Sequence, residues 1–397
     1  MLFTQGKTEI APSEAGYDES RLEVLNRHLQ GIIDAGDIQC AMYCVSRHGK
    51  VFAHGSLGKK SYRAEDNSPA LPDSVRYFAS MSKTFVATAI MKMVEDGHTR
   101  LNVPVGEILP QFNTPPFNEI NLLHLLTHSS GLHADPGCLP NKYQSNYWKL
   151  ISDAIDKHDF EKDGEFDWIS ASLAVIGSGM RKRPGEEWAY CSYGYTILSA
   201  VVEKLTGMRY QEYVTENILK PIGMNDTCFD LTPELAKRAI VSNERMEQEL
   251  NDIINGKSET DKWELAKIPE AGMNGTAYDL VRFGNMFLSN GISNGNRVLG
   301  RKGVEKISAK QIHDLPNYSW GAGGVGRSYC AGFDLRTDQP FICSDNTFSH
   351  EGAGYASIYI DPTEDMVAAW FVPFTEHDRW IVKSLYNVVN VIWSGLK

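Results

Sequence analysis

Apolar residues first recur at helical spacing, then alternate as in strands, return to helical spacing through the middle of the chain, and alternate again near its end. Leu22, Leu25, Leu29 and Ile32 predict a helix over 21–33, opened by Asp18 and Glu19 and stopped at Gly36. The β-prone runs Ala41–Ser46 and Val51–His54 flank His48-Gly49-Lys50 and predict a hairpin. Phe85, Val86, Ala89, Ile90, Met93 and Val94 give one buried face of a helix that Gly97 ends. From about 98 to 265 the chain is punctuated by Pro and Gly and carries short helical patterns without strands. Within it, Ile197, Leu198, Val201, Val202 and Leu205 mark an apolar helix ended by Gly207. Thr276-Ala-Tyr-Asp279 is a capping-box start for a helix whose face is Leu280, Phe283, Met286 and Phe287. Tyr355–Ile360 and Met366–Val372, joined at Asp361-Pro362, predict two further strands, and a final helix runs from about Asp378 to Gly395.

β structure at both ends with a helical middle predicts an α+β fold. The expected form is an antiparallel sheet flanked by the N- and C-terminal helices, with an inserted, mostly helical lobe. The expected division is 1–97 plus 270–397 for the sheet layer and 98–269 for the lobe, with the active site in the cleft between them.

Composition narrows the function. The 397 residues are 42% hydrophobic and carry a formal net charge of −11, enough for a large core and without the basic stripe of a nucleic-acid binder. No apolar run reaches the roughly 18–20 residues that span a bilayer, and the first residues do not read as a signal peptide. Seven scattered cysteines, with no Cys-x-x-Cys pair, read as reduced thiols in a cytoplasmic protein. Neither a metal nor another cofactor is expected, since His, Cys and acidic residues nowhere stand at ligand spacing. The glycine runs 321–326 and 352–354 lack the strand and helix context of a phosphate loop.

Ser80 and Lys83 stand three residues apart at the head of the 83–97 helix, so hydroxyl and amine share a face. A serine needs a neighbouring base to become a nucleophile, and a lysine buried in that apolar wall would hold a neutral amine more readily. The same spacing also fits a serine N-cap beside a solvated lysine. Tyr190, on the loop Tyr190-Cys191-Ser192 before an apolar helix, is a second proton-transfer candidate, eased towards ionisation if a cationic lysine flanks it. Taken alone, it fits better as a tyrosine packed under the Pro184-Gly185 turn.

Taken together and in order, these pieces resemble the serine β-lactamase-like superfamily, on the branch of class C β-lactamases, DD-peptidases and family VIII carboxylesterases. Tyr77-Phe78-Ala79-Ser80-Met81-Ser82-Lys83 resembles the Ser-x-x-Lys block, and Leu101-Asn-Val-Pro104 with Ile108-Leu-Pro110 resembles the segment after it. Leu122-Leu-His-Leu-Leu-Thr-His-Ser-Ser-Gly-Leu132 is similar to a signature that is highly specific to the family. Pro184-Gly-Glu with Tyr190-Cys191-Ser192, Pro221-Ile-Gly-Met224 with Thr227, Ala271-Gly272 with Gly275–Leu280, and His350-Glu351-Gly352 complete the series.

The resemblance implies an acyl-enzyme hydrolase with Ser80, Lys83 and Tyr190 catalytic. It implies an oxyanion hole of the Ser80 and Ala353 backbone N–H groups, and substrate contacts at Ser192, His350, Glu351 and Gly352. Ser192 stands where the lactamases have Asn, and His350 and Glu351 where they have Lys and Thr. A neutral histidine weakens the usual carboxylate anchor, and Glu351 is expected to put negative charge on the rim. A small-molecule ester is therefore the expected substrate. Amidase, D-aminopeptidase or weak β-lactamase activity is the alternative, and a non-catalytic penicillin-binding-like protein the remaining one. No nucleic-acid or membrane partner is expected, and the oligomeric state stays open. His128 reads as structural, and His54 and His98 as surface residues. The aromatic set Tyr143, Tyr147, Trp148 and Trp168 reads equally as acyl pocket or as core.

Overall fold

The computed structural model describes residues 3–140, 147–257, 261–312, 314–337, 340–354, 356–373 and 385–397. Seven strands form one sheet: β1 (Phe3–Gln5), β2 (Cys40–Arg47), β3 (Lys50–Gly58), β4 (Asp334–Leu335), β5 (Phe348–Gly352), β6 (Ala356–Asp361) and β7 (Met366–Phe371). Their order is β1-β3-β2-β7-β6-β5-β4, and every pairing is antiparallel. Strands from the two ends of the chain meet where β2 pairs with β7, Tyr43 opposite Trp370. The expected α+β class holds.

The sheet is buried on both faces, which explains why its strands read as apolar runs. Ala41, Tyr43, Val45, Tyr359, Ala368 and Trp370 point to one face, under helices α1 (Ser20–Asp34) and α6 (Leu385–Trp393). Met42, Cys44, Ile358, Ile360, Val367, Ala369 and Phe371 point to the other, under α2 (Lys83–Glu95) and α5 (Ala277–Leu288). The period of two along the strands sorts their residues between these layers, broken in β3 at a bulge where Phe52 and Ala53 face the same one. Phe85 of α2 stacks on Phe283 of α5 with ring centroids 4.3 Å apart. The first part of the expected final helix, 378–384, lies outside the described residues, as does Tyr355.

One expectation needs correction, and one pair of open readings is decided. His54 is not on the surface: it is buried in β3, and its ring nitrogens lie 3.3 Å from Lys7 O and 3.1 Å from Pro72 O. Trp168 is core, fully buried beside Phe166 and donating from Nε1 to Ala266 O at 2.8 Å. Tyr143 and the side chains of Tyr147 and Trp148 lie outside the described residues. Thr276 does cap α5, accepting from Asp279 N at 3.2 Å, but the box is half formed. The Asp279 carboxylate instead accepts from Asp226 N and from the Thr227 hydroxyl, both at 2.9 Å, tying α5 to the turn at Thr227. His98 is exposed, as expected, and all seven cysteines are free thiols. Among the described residues no helix is long and apolar enough to cross a membrane.

Candidate active site

Ser80 lies on a single 3₁₀ turn, Ala79–Ser82, that feeds directly into α2. Ala79 has φ 47°, a left-handed conformation that costs a non-glycine residue about 1 kcal/mol. Such strain is held by its surroundings, here a short ribbon of Arg76–Tyr77 on Asn274–Gly275 and the bond from Phe78 N to Met273 O at 2.8 Å. Helix α2 is buried almost all round, Lys83 included. Lys83 Nζ lies 2.9 Å from Ser80 Oγ. Burial lowers its pKa below the ordinary lysine value, while Asp135 and then Glu270 pull it back up.

Tyr190 is brought to the same point by the signature segment. Asn121 caps helix α3 (Leu122–Leu126), accepting from His124 N at 2.9 Å while His124 Nδ1 accepts from Asn121 N at 3.3 Å. The helix ends at Thr127, and His128 turns left-handed with φ 55°. Its Nδ1 accepts from Cys191 N at 3.1 Å, and its ring packs 4.3 Å from that of Tyr190. Burial, then Lys83, push His128 well below the ordinary histidine value, so it is a neutral acceptor, in keeping with a structural role. Gly131, with φ 77°, closes the turn where a Cβ would stand 2.2 Å from Lys182 O. The Ser80 hydroxyl is close enough to the Tyr190 phenol to act on its ionisation, and Lys83 Nζ sits 5.3 Å from the Tyr190 ring centroid.

Ser80, Lys83 and Tyr190 thus form one cluster, but the phenol is not eased towards ionisation. Burial, then the negative charge of Asp135, raise its pKa well above the ordinary value, and the neighbouring Ser80 only partly opposes them. In the resting site Tyr190 is a proton donor.

Strand β5 supplies the opposite wall. A Cβ on Gly352 would stand 1.9 Å from Phe78 O, so only glycine lets the strand approach the Ser80 turn this closely. Ala353 follows at the exposed end of the strand. His350 is buried, its Nδ1 2.9 Å from Glu351 O, and burial, then Lys83, lower its pKa to about 4. It is neutral at pH 7. Glu351 does not lie on the site's rim. The alternation of β5 turns it to the face opposite His350, where it accepts from Arg336 Nη2 at 2.8 Å and Tyr359 Oη at 2.5 Å. Ser192 is buried, and its hydroxyl donates to Asp135 rather than standing free for a substrate.

Sequence reasoning missed four groups. Asp135 is the charged group that raises the Lys83 pKa most, and it is the sole acidic residue between Glu119 and Asp153, a signal visible in the sequence. Glu270, fully buried, has its carboxyl raised to about 7 by burial, against the pull of Lys83, and its carbonyl lies 3.5 Å from Lys83 Nζ. Trp320, 56% exposed with φ 52°, covers Tyr190 with ring centroids 5.3 Å apart. Arg336 neutralises Glu351. Among the described residues no group of three or more His, Cys, Asp or Glu could hold a metal.

The fold recurs in solved structures. A family VIII carboxylesterase superposes with a TM-score of 0.71 at 15% identity, covering 98% of this chain and 100% of that one. The octameric penicillin-binding protein homologue from Pyrococcus abyssi gives 0.66 at 21% identity, over 89% and 74%. Among curated proteins, esterase EstB of Burkholderia gladioli is 30% identical over 206 residues, 48% of this chain and 46% of EstB. Protein flp of Staphylococcus aureus (strain N315) is 25% identical over 224 residues, 55% and 41%. The chain therefore spans less than half the length of these curated relatives. The Beta-lactamase family model, in contrast, runs through residues 25–377, across both the Ser80 turn and strand β5. This chain belongs to the Beta-lactamase family.

Proposed function

We propose that the protein hydrolyses small carboxylic esters through an acyl-enzyme on Ser80. The observation that carries the reading is the buried amine of Lys83 at 2.9 Å from Ser80 Oγ, with the Tyr190 ring centroid 5.3 Å from the same amine. Ser80 Oγ attacks the ester carbonyl and passes its proton to Lys83. The oxyanion is held by the backbone N–H groups of Ser80 and Ala353. Tyr190 protonates the departing alkoxide and recovers its proton from Lys83. Water, deprotonated by the same pair, then releases the acid. The groups come from the sheet layer, 1–97 with 270–397, and from the lobe 98–269, which we take as the two sides of a cleft. EstB, named an esterase, supports the ester over the amide. The free thiols fit a cytoplasmic setting.

The same site is expected to discriminate against β-lactams. His350 is neutral, so strand β5 offers no cation to a β-lactam carboxylate, and Ser192 is engaged by Asp135. Loss of one charge-assisted contact is worth about 1.5–3 kcal/mol, or roughly 10–100-fold in rate. The kcat/KM for nitrocefin is expected to fall below that for p-nitrophenyl acetate and butyrate by at least that factor. Nitrocefin turnover matching the esters would contradict the substrate assignment.

A further inference from the structure

The loop 189–192 carries the phenol without belonging to a helix or strand, so its backbone needs other partners. Two residues of the segment after α3 supply them. His128 accepts from Ala189 N through its carbonyl at 2.9 Å and from Cys191 N through Nδ1 at 3.1 Å. Asp135 donates its own N–H to Tyr190 O at 2.9 Å, accepts from Ser192 N at Oδ1 at 2.7 Å, and accepts the Ser192 hydroxyl at Oδ2. Asp135 also binds onward: its carbonyl accepts from Cys138 N at 3.1 Å, and the Cys138 carbonyl accepts from Trp320 N at 2.8 Å. His128 is neutral; Asp135 alone brings a charge to this clamp.

We propose that Asp135 is a positioning residue of the reaction, clamping the loop on both sides of Tyr190 and setting its carboxylate charge beside the two proton-transfer groups. The proposal rests on the reading of Ser80 and Lys83 given above. Because Asp135 also holds the side chain of Ser192, this position contributes through the placement of Tyr190 rather than through a free substrate contact.

The charge has a consequence that a purely mechanical clamp lacks. Lys83 is faced by Asp135 and Cys138 from the segment after α3 and by His128 from the end of that helix. Tyr190 and Cys191 face it from the clamped loop, Tyr195 from helix α4 (Tyr193–Thr206), Glu270 from the segment before Ala271, and His350 from β5. Of these, Asp135 and Glu270 favour the ammonium most strongly. Lys83 must be neutral to take the Ser80 proton, so activity rises with pH through its pKa. A neighbouring carboxylate raises that pKa; removing it must move the acidic limb of kcat/KM to lower pH. Glu270 stays in place when Asp135 is replaced; Asp135 raises its pKa too, so Glu270 becomes more fully charged and offsets part of the change, the effect of Asp135 on Lys83 being the larger.

The test compares pH profiles of kcat and kcat/KM for p-nitrophenyl butyrate in wild type, Asp135→Asn and Asp135→Ala, with Ser80→Ala alongside. Asparagine can still accept from Ser192 N and donate to its hydroxyl, and is expected to move the acidic limb down by about one pH unit. Alanine opens the clamp and is expected to lower plateau kcat by about 10²-fold with little change in KM, asparagine retaining more. An Asp135→Asn profile superimposed on wild type, or an Asp135→Ala plateau equal to wild type, overturns the proposal while an inactive Ser80→Ala leaves the serine mechanism standing. An active Ser80→Ala overturns both.

Discussion

Ser80→Ala is expected to lower kcat/KM for p-nitrophenyl butyrate by about 10³-fold or more, because it removes the atom that forms the covalent intermediate. Ser80 is only partly buried, and its side chain enters the site through the contacts with Lys83 and Tyr190. Loss of one such hydrogen bond changes stability by only about 1 kcal/mol, so the variant should melt close to wild type. Circular dichroism and a melting curve separate lost chemistry from lost fold. Activity near wild type in a folded Ser80→Ala protein would remove the mechanism at its first step.

Gly352→Ala is expected to cost about 10²-fold in kcat while leaving the sheet intact. The argument is steric. An added methyl would stand 1.9 Å from the carbonyl oxygen of Phe78, backbone against backbone, with Ala79 Cβ a further 3.3 Å neighbour. No rotamer relieves this contact, so strand β5 and the Ser80 turn must separate by on the order of 1 Å, a displacement of the kind that costs about 10²-fold when it misplaces reacting groups. That separation moves Ala353, the proposed second oxyanion donor, away from the nucleophile. The pairing of β5 with β6, His350 opposite Ile358, is made on the other edge and should persist. A Gly352→Ala protein with kcat within a few-fold of wild type would show that β5 need not approach the Ser80 turn for catalysis.

The fold was legible because its elements carry strong periodicities. The strands from both chain ends read as β because each buries both faces, and α2 read as a helix because its apolar positions recur at helical spacing. What the sequence could not supply was which residues meet across the fold. Glu351 looks like rim charge until β5 is registered against β6, which sends it to Arg336, fifteen positions earlier in the chain. Period-two reading from buried Phe348 puts His350 towards α2 and Glu351 away from it, but only the partner's position shows that the charge is neutralised. The ionisation of Tyr190 failed for the same reason. Its flanking lysine was anticipated, whereas its burial and the carboxylate of Asp135 are tertiary facts, and together they reverse the sign. Ser80, Lys83 and Tyr190 are found through motif order, whereas spacing alone favours a capped helix and a packed tyrosine.

The central claim is a covalent intermediate on Ser80, and intact-mass measurement with peptide mapping tests it most directly. Wild-type protein acid-quenched during turnover of p-nitrophenyl butyrate should gain the mass of one butyryl group, confined to the peptide carrying Ser80, and Ser80→Ala should gain none. Rapid ester turnover with no adduct at any time point, or with the acyl group on another residue, would contradict the account.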